Sequence, residues 1–208
     1  MSAQAITATI REKKIIKPNL RVVYPEVAGL NNEAVQSRIN EHIAGLVFSM
    51  MLTQGSQDAE AVNIEGTYTV ELNEKSILSI RFENFALKEK AANGTTLLKA
   101  LTFNLNTGEF YQFCDLFNPQ RPYRIIINNI LEAQIKQKEL PTFGTFPGVT
   151  DNQSFYLMPT SIVIIFPELL FTPHVIGPPE FKLPFRQLHG LINTAGPIAR
   201  FMPSVAER

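Results

Sequence analysis

Three ionisable side chains around one proline-braced stretch make the strongest case for chemistry: His174, with Glu168 before it and Glu180 after it. One histidine between two carboxylates can hold a metal ion or run general acid–base chemistry. The spacing is that of no known metal motif, so the expectation is no metal and no cofactor. The same stretch carries Phe171, Val175 and Ile176 around Pro173, Gly177, Pro178 and Pro179. A rigid loop with exposed apolar groups loses little entropy on binding. These residues, with His174 and Glu180, therefore form the candidate binding set, against the plainer reading of a loop packed over the core. Arg121 and Arg124 join the set because they stand where a helix should begin. Positive charge there has the wrong sign for the helix dipole unless an acidic neighbour or a bound anion is close. Asp115 is the neighbour expected from the sequence, and a phosphate or acidic glycan is the sharper alternative.

Other reactive side chains read as structural. The single cysteine, Cys114, sits between aromatics in FYQFCDLF, where a small buried hydrophobe fits and a nucleophile lacks the electropositive setting it needs. His42 falls on the flank of a helical apolar stripe, and His189 has no acidic neighbour in sequence. The chain has no H-E-x-x-H, G-x-S-x-G, G-x-x-x-x-G-K or G-x-G-x-x-G, and no paired cysteines. No catalytic residue is assigned.

The elements that must position these residues follow from hydrophobic period. Gln4–Ile16 and Leu20–Tyr24 suit two strands separated by Lys17, Pro18 and Asn19. From Asn31 the period lengthens: Val35, Ile39, Ile43, Leu46 and Met50 share a helical stripe behind an asparagine N-cap, fading near Gly55. Tyr68, Val70 and Leu72, then Leu78, Ile80 and Phe82, alternate as a hairpin around Asn73, Glu74 and Lys75. Leu101, Phe103 and Leu105 suggest a second hairpin turning at Asn106–Gly108 into Phe110–Phe113.

A second helical face follows Asn118 and Pro119: Tyr123, Ile126, Ile127, Ile130 and Ala133. Beyond Leu140 lie ten of the fourteen prolines, a density that forbids long helices and central strands. Short strands are expected at Phe155–Met158, Ile162–Phe166 and Phe181–Phe185. Each half carries one helix and mainly antiparallel strands, an α+β arrangement in two lobes. The expected boundaries are 1–95 and 96–190, with 191–208 as a tail.

Composition bounds the function. Nineteen Lys and Arg balance nineteen Asp and Glu in 208 residues, and hydrophobic residues make up 45%, which is a folded chain with no general attraction for nucleic acid. The N-terminus has no apolar core behind a basic start, and the longest apolar stretch, Ile43–Leu52, is about half the ~20 residues a membrane span needs. By that absence alone the chain would be cytoplasmic.

The run ILSIRFENFALKEKAANGTTLLKALTFNLNTGEFYQFCDLF, a helix, and then SFYLMPTSIVIIFPELLFTPHVIGPPEFKLPF carry a resemblance across Ile6–Leu188. The most specific pieces are Phe103–Glu109, Asp115–Phe117 and Pro173–Phe185. Together they resemble the paired domains of unknown function found beside bacterial polysaccharide deacetylase domains and in the extracytoplasmic part of lysozyme-sensing anti-sigma factors. Where that family often has a Gly-Gly-Ala-His-Gly loop, this chain has Ala91-Ala92-Asn93-Gly94, and His174 stands where the family commonly places tyrosine. The resemblance implies a non-catalytic binding or sensor module of the bacterial cell envelope, with a lysozyme-like protein or a wall glycan as partner. It also points to the extracytoplasmic side. The alternative is an enzyme modifying a wall polysaccharide through Glu168, His174 and Glu180.

Overall fold

The computed structural model describes residues 5–57 and 62–202. The chain divides into two compact units, Met1–Phe110 and Tyr111–Arg208. The first holds β1 (Thr9–Lys17), β2 (Leu20–Ala28), α1 (Glu33–Thr53), β3 (Val62–Glu74), β4 (Ile77–Lys88) and β5 (Thr95–Asn104). The five strands form one sheet in chain order. All neighbours are antiparallel except β2 and β3, which pair in parallel over Leu20–Val22 and Ile64–Gly66. A parallel pair needs a crossover, and α1 supplies it.

The helix starts where its cap dictates. The Asn32 side-chain oxygen accepts hydrogen bonds from the Ala34 and Val35 amides at 3.0 and 3.2 Å, satisfying two of the donors a helix start leaves open. Val35, Ile39, Ile43, Val47, Met50 and Met51 are its buried face. Leu46, expected on that stripe, is half-buried beside it. Asn40 pins the helix to β2: its oxygen accepts from the Val27 amide at 2.7 Å and its NH2 donates to the Val27 carbonyl at 2.9 Å.

Close approach in the sheet depends on Gly66. A Cβ at that position would lie 2.5 Å from the Asn84 side-chain oxygen and 2.8 Å from a Val22 methyl. The β3–β4 turn falls at Lys75 and Ser76, both with φ near +50 to +60°, one residue later than expected. Asn73 is freed to pair its side chain with both backbone groups of Ala8, at 2.9 and 2.8 Å.

The expected second hairpin is not formed. Phe103 and Phe110 meet only in an isolated bridge, and Phe113 lies in a 3-10 turn, Phe113–Leu116. β5 instead begins at Thr95 and pairs with β4, so a strand expected in the second lobe is hydrogen-bonded within the first unit. Its opening, Thr-Thr-Leu-Leu-Lys-Ala, lacks the two-residue alternation that identifies strands.

The second unit holds α2 (Tyr123–Gln137), then β6 (Phe155–Met158), β7 (Ser161–Ile165) and β8 (Glu180–Pro184) in an antiparallel sheet of that order. The buried face of α2 is Tyr123, Ile127 and Leu131, a strict i, i+4, i+8 line. Ile126 and Ala133, expected on it, are exposed. Residues 191–202 are packed structure and not a tail: Leu191 and Ile198 are buried, and Asn118 donates its amide to the Leu191 carbonyl at 2.7 Å. Both units are thus α+β, as the change of period predicts.

Two glycines test this packing in opposite directions. Gly66→Ala should cost about 1–3 kcal/mol, because Asn84 and Val22 must move. Gly45, inside α1 with nothing within 4 Å of its Cβ, should give a gain of about 0.5–1 kcal/mol as Ala. Urea denaturation of both variants checks the pair of signs.

Candidate functional site

The candidate site is a ridge on the second unit, built by the chain between β7 and β8. After Ile165 the chain buries Phe166 and turns at Pro167, with the Leu170 amide donating to the Pro167 carbonyl at 3.3 Å. Leu169 sits in the left-handed region at φ 62°, a conformation that costs a leucine energy and that glycine or asparagine usually fills. Leu169 and Leu170 are 49% and 47% exposed. Phe171 then turns inward.

Phe171 is 1% exposed and is not part of any surface, contrary to its place in the sequence-derived binding set. Its ring meets Phe146 at 5.3 Å and Phe166 at 5.5 Å, both edge-on, and stacks on Phe181 at 6.5 Å. Such pairs add to the burial energy of the rings themselves. Past this anchor, His174–Ile176 form a 3-10 turn closed by the Ile176 amide on Pro173 and the Gly177 amide on His174, both 2.9 Å. Gly177, at φ 67° and ψ −161°, occupies a region reserved for glycine. Val175 at the apex is 85% exposed, and Ile176 is half-buried.

Of the two carboxylates that flank His174 in the sequence, Glu168 is in contact with it. His174 Nδ1 lies in direct contact with a Glu168 carboxylate oxygen. The Glu168 side chain is 7% exposed and the His174 side chain 40%, so the carboxylate is inside and the ring partly outside. Glu180 stands on β8 opposite Ile165. Among the described residues no three His, Cys, Asp or Glu gather to hold a metal ion, so the three-residue constellation is reduced to a pair. Sequence reasoning missed Leu169 and Leu170, and also Phe143, half-exposed, whose amide donates to the Phe171 carbonyl at 2.9 Å. Their only sequence signal was a run of apolar residues without period in a proline-rich stretch.

Arg121 and Arg124 belong to a different neighbourhood. Arg121 is exposed, and Arg124 pairs with Asp151 at 3.4 Å, not with Asp115. Asp115 is used locally, accepting from the Gln112 amide at 2.7 Å. Asp151 also accepts from the Tyr123 hydroxyl at 2.5 Å and, through its carbonyl, from the Cys114 amide at 3.1 Å. Burial, then the hydrogen bond and charge of Asp151, push the Tyr123 phenol well above its ordinary range. Burial and the charges of Asp115 and Asp151 push the Cys114 thiol up, which disfavours the nucleophilic thiolate. His42 is exposed and stacks on Phe110 at 5.8 Å.

The first unit has an apolar groove of about 440 Å³ between α1 and the β1–β2 turn, walled by Ile15, Leu20, Phe48, Met51, Leu52 and Ile64. The signal for it was in the sequence: the apolar stretch Ile43–Leu52 wraps further round α1 than one buried stripe requires, leaving Phe48 and Leu52 half-exposed. No helix of the described residues is long and apolar enough to cross a membrane.

Residues 114–186 match the profile of DUF3298, a protein family of unknown function. That segment contains the whole ridge. Two solved structures share the fold over nearly the whole chain. A DUF3298-family protein of Bacteroides fragilis aligns with a TM-score of 0.61 at 15% identity, covering 94% of this chain and 95% of that one. A DUF3298-family protein of Pseudomonas aeruginosa aligns with a TM-score of 0.65 at 13% identity, covering 95% and 96%. Among curated proteins none matches.

The Tyr123–Asp151 contact gives a pH test. A phenol raised in the fold contributes stability that is fully present below the unfolded value near 10 and is lost as pH climbs toward the folded value. Stability should therefore fall above about pH 10, and the fall should be shallower in Tyr123→Phe. Urea midpoints across that range would read it, and parallel curves would show that Tyr123 titrates normally.

Proposed function

We propose that the chain is a non-catalytic binding module whose second unit recognises a protein surface through the ridge around His174. The observation that carries this reading is the coexistence, on the connection between β7 and β8, of exposed aliphatic groups and a polar side chain held by a buried partner. Leu169, Leu170 and Val175 are 49%, 47% and 85% exposed, and Leu169 adds backbone strain. Strain of that kind, kept at an exposed position, is what a functional contact would require. Apolar anchors with a few oriented polar groups are also the general composition of interface cores.

A protein suits the ridge better than a wall glycan. Sugars are gripped by exposed aromatic faces and arrays of polar groups, whereas Phe166, Phe171 and Phe181 are turned inward and the exposed groups are mostly aliphatic. Phe143 is the feature that favours a glycan. The cell-envelope setting and a lysozyme-like partner come from the resemblance of Phe103–Glu109, Asp115–Phe117 and Pro173–Phe185, and they belong to the same proposal. The polysaccharide-modifying alternative keeps the Glu168–His174 pair as an acid–base unit.

Interferometry with the whole chain immobilised, against lysozyme and against peptidoglycan fragments, separates these readings. Binding of the protein should weaken by about 1–3 kcal/mol in Val175→Asp with an unchanged melting temperature, as for an ordinary hot-spot truncation. Phe171→Ala should do the reverse first, losing about 3–5 kcal/mol of stability. Binding of glycan alone would move the assignment to Phe143, and release of product from peptidoglycan or acetylated chitin oligomers would replace binding by catalysis.

A further inference from the structure

We infer that Glu168 is a positioning residue that fixes the tautomer of His174, so that the ridge offers a hydrogen-bond acceptor, Nε2, to an amine or guanidinium carried on an aliphatic stem. The partner chemistry rests on the binding reading above; the tautomer does not.

The argument starts from what each atom can do. An ionised carboxylate only accepts hydrogen bonds, so its contact with Nδ1 places the ring proton there. A neutral imidazole has one donor nitrogen and one acceptor, and with Nδ1 as donor the lone pair is on Nε2. The carboxylate is not free to release the ring: its side chain is nine-tenths buried, and the left-handed turn at Leu169 fixes the backbone beside it. The ring is held from the other side by the 3-10 turn, whose two 2.9 Å hydrogen bonds set the position of residue 174.

The exposed apolar groups on the same connection are Leu169 and Leu170, next to Glu168 in the chain, and Val175, next to His174. A ligand group that fits both must be apolar along its length and donate at its tip. A lysine or arginine side chain does so: the stem covers the aliphatic ridge and the N–H meets Nε2. A carboxylate or phosphate brings no donor to that lone pair, so the same geometry that accepts a cation turns an anion away.

Long-range 1H–15N spectra of the 15N-labelled whole chain in alkaline buffer test the first half directly. His174 is assigned by the loss of its signals in His174→Gln. The expected result is a protonated, pyrrole-type Nδ1 and a bare, pyridine-type Nε2. The opposite tautomer, or an even mixture, in the unaltered protein overturns the inference without any variant. In Glu168→Gln the bias should be lost, because the amide can donate as well as accept. An unchanged spectrum in that variant would remove Glu168 as the positioning residue. Titration with n-butylammonium and with butyrate tests the second half, since the two probes share an apolar chain and differ in hydrogen-bond polarity. The Nε2 resonance should move with n-butylammonium and stay put with butyrate. Equal movement, movement with butyrate alone, or none with either overturns the partner chemistry. Failure of every protein to bind in interferometry, with the tautomer as expected, would instead count against the binding reading.

Discussion

The inward turn of Phe171 is the contact on which the outer form of the second unit depends. Its ring is clasped by Phe146, Phe166 and Phe181 within 6.5 Å, and those rings come from three separate stretches of chain. A strand as short as β7 or β8 cannot hold a long connection in place by backbone hydrogen bonds alone. The aromatic clasp does it instead, fixing the connection near its middle. With residue 171 nailed down, the chain before it passes from buried Phe166 to buried Phe171 in very few steps, taking the Glu168 side chain inside and leaving Leu169 and Leu170 outside. The clasp fixes where Leu169 and Leu170 stand, but it requires neither an aliphatic side chain at those positions nor a leucine in the left-handed conformation. The chain after it is stiffened by prolines and closed into a 3-10 turn, which leaves Val175 at the apex.

Much of this architecture was legible in the sequence where a period exists to be read. The cap at Asn32, the stripe of α1, the β3–β4 hairpin and the short β6–β7 hairpin all announce themselves through spacing of three to four or of two. Where no period exists, direction is lost. Phe171, Val175 and Ile176 are equally apolar in sequence, and nothing local says that the first is core and the second is exposed. The opening of β5 is a strand because β4 offers it hydrogen bonds, and a partner strand leaves no mark on the residues that pair with it. Arg124 illustrates a third kind of loss: its acidic partner proved to be Asp151, remote in sequence, and not the nearer Asp115, which is used to cap a turn. For His174 the sequence offered two flanking carboxylates, Glu168 and Glu180, and nothing local said which of them the ring would meet.

Side-chain amides serve repeatedly where the backbone ladder stops. Asn40 completes the hydrogen bonding of Val27 on β2, Asn73 does the same for Ala8, and Asn193 donates to the Asp115 carbonyl at 3.1 Å. An asparagine amide carries the same donor and acceptor as a peptide group, so it can stand in for a strand neighbour at a place where a strand will not fit. This lets short and bent segments end without leaving buried polar groups unpaired, which a proline-rich chain needs more than most.

The parallel pairing of β2 with β3 sets the order in which the first unit can assemble. Antiparallel neighbours such as β3, β4 and β5 close through short turns, so their contacts cost little chain entropy and can form early. Leu20 meets Ile64 only after the whole of α1 has been threaded between them. That junction is the least local pairing of a sheet otherwise closed through short turns. The β1–β2 hairpin should therefore be the last piece to dock and, when the protein is stressed, the first to leave.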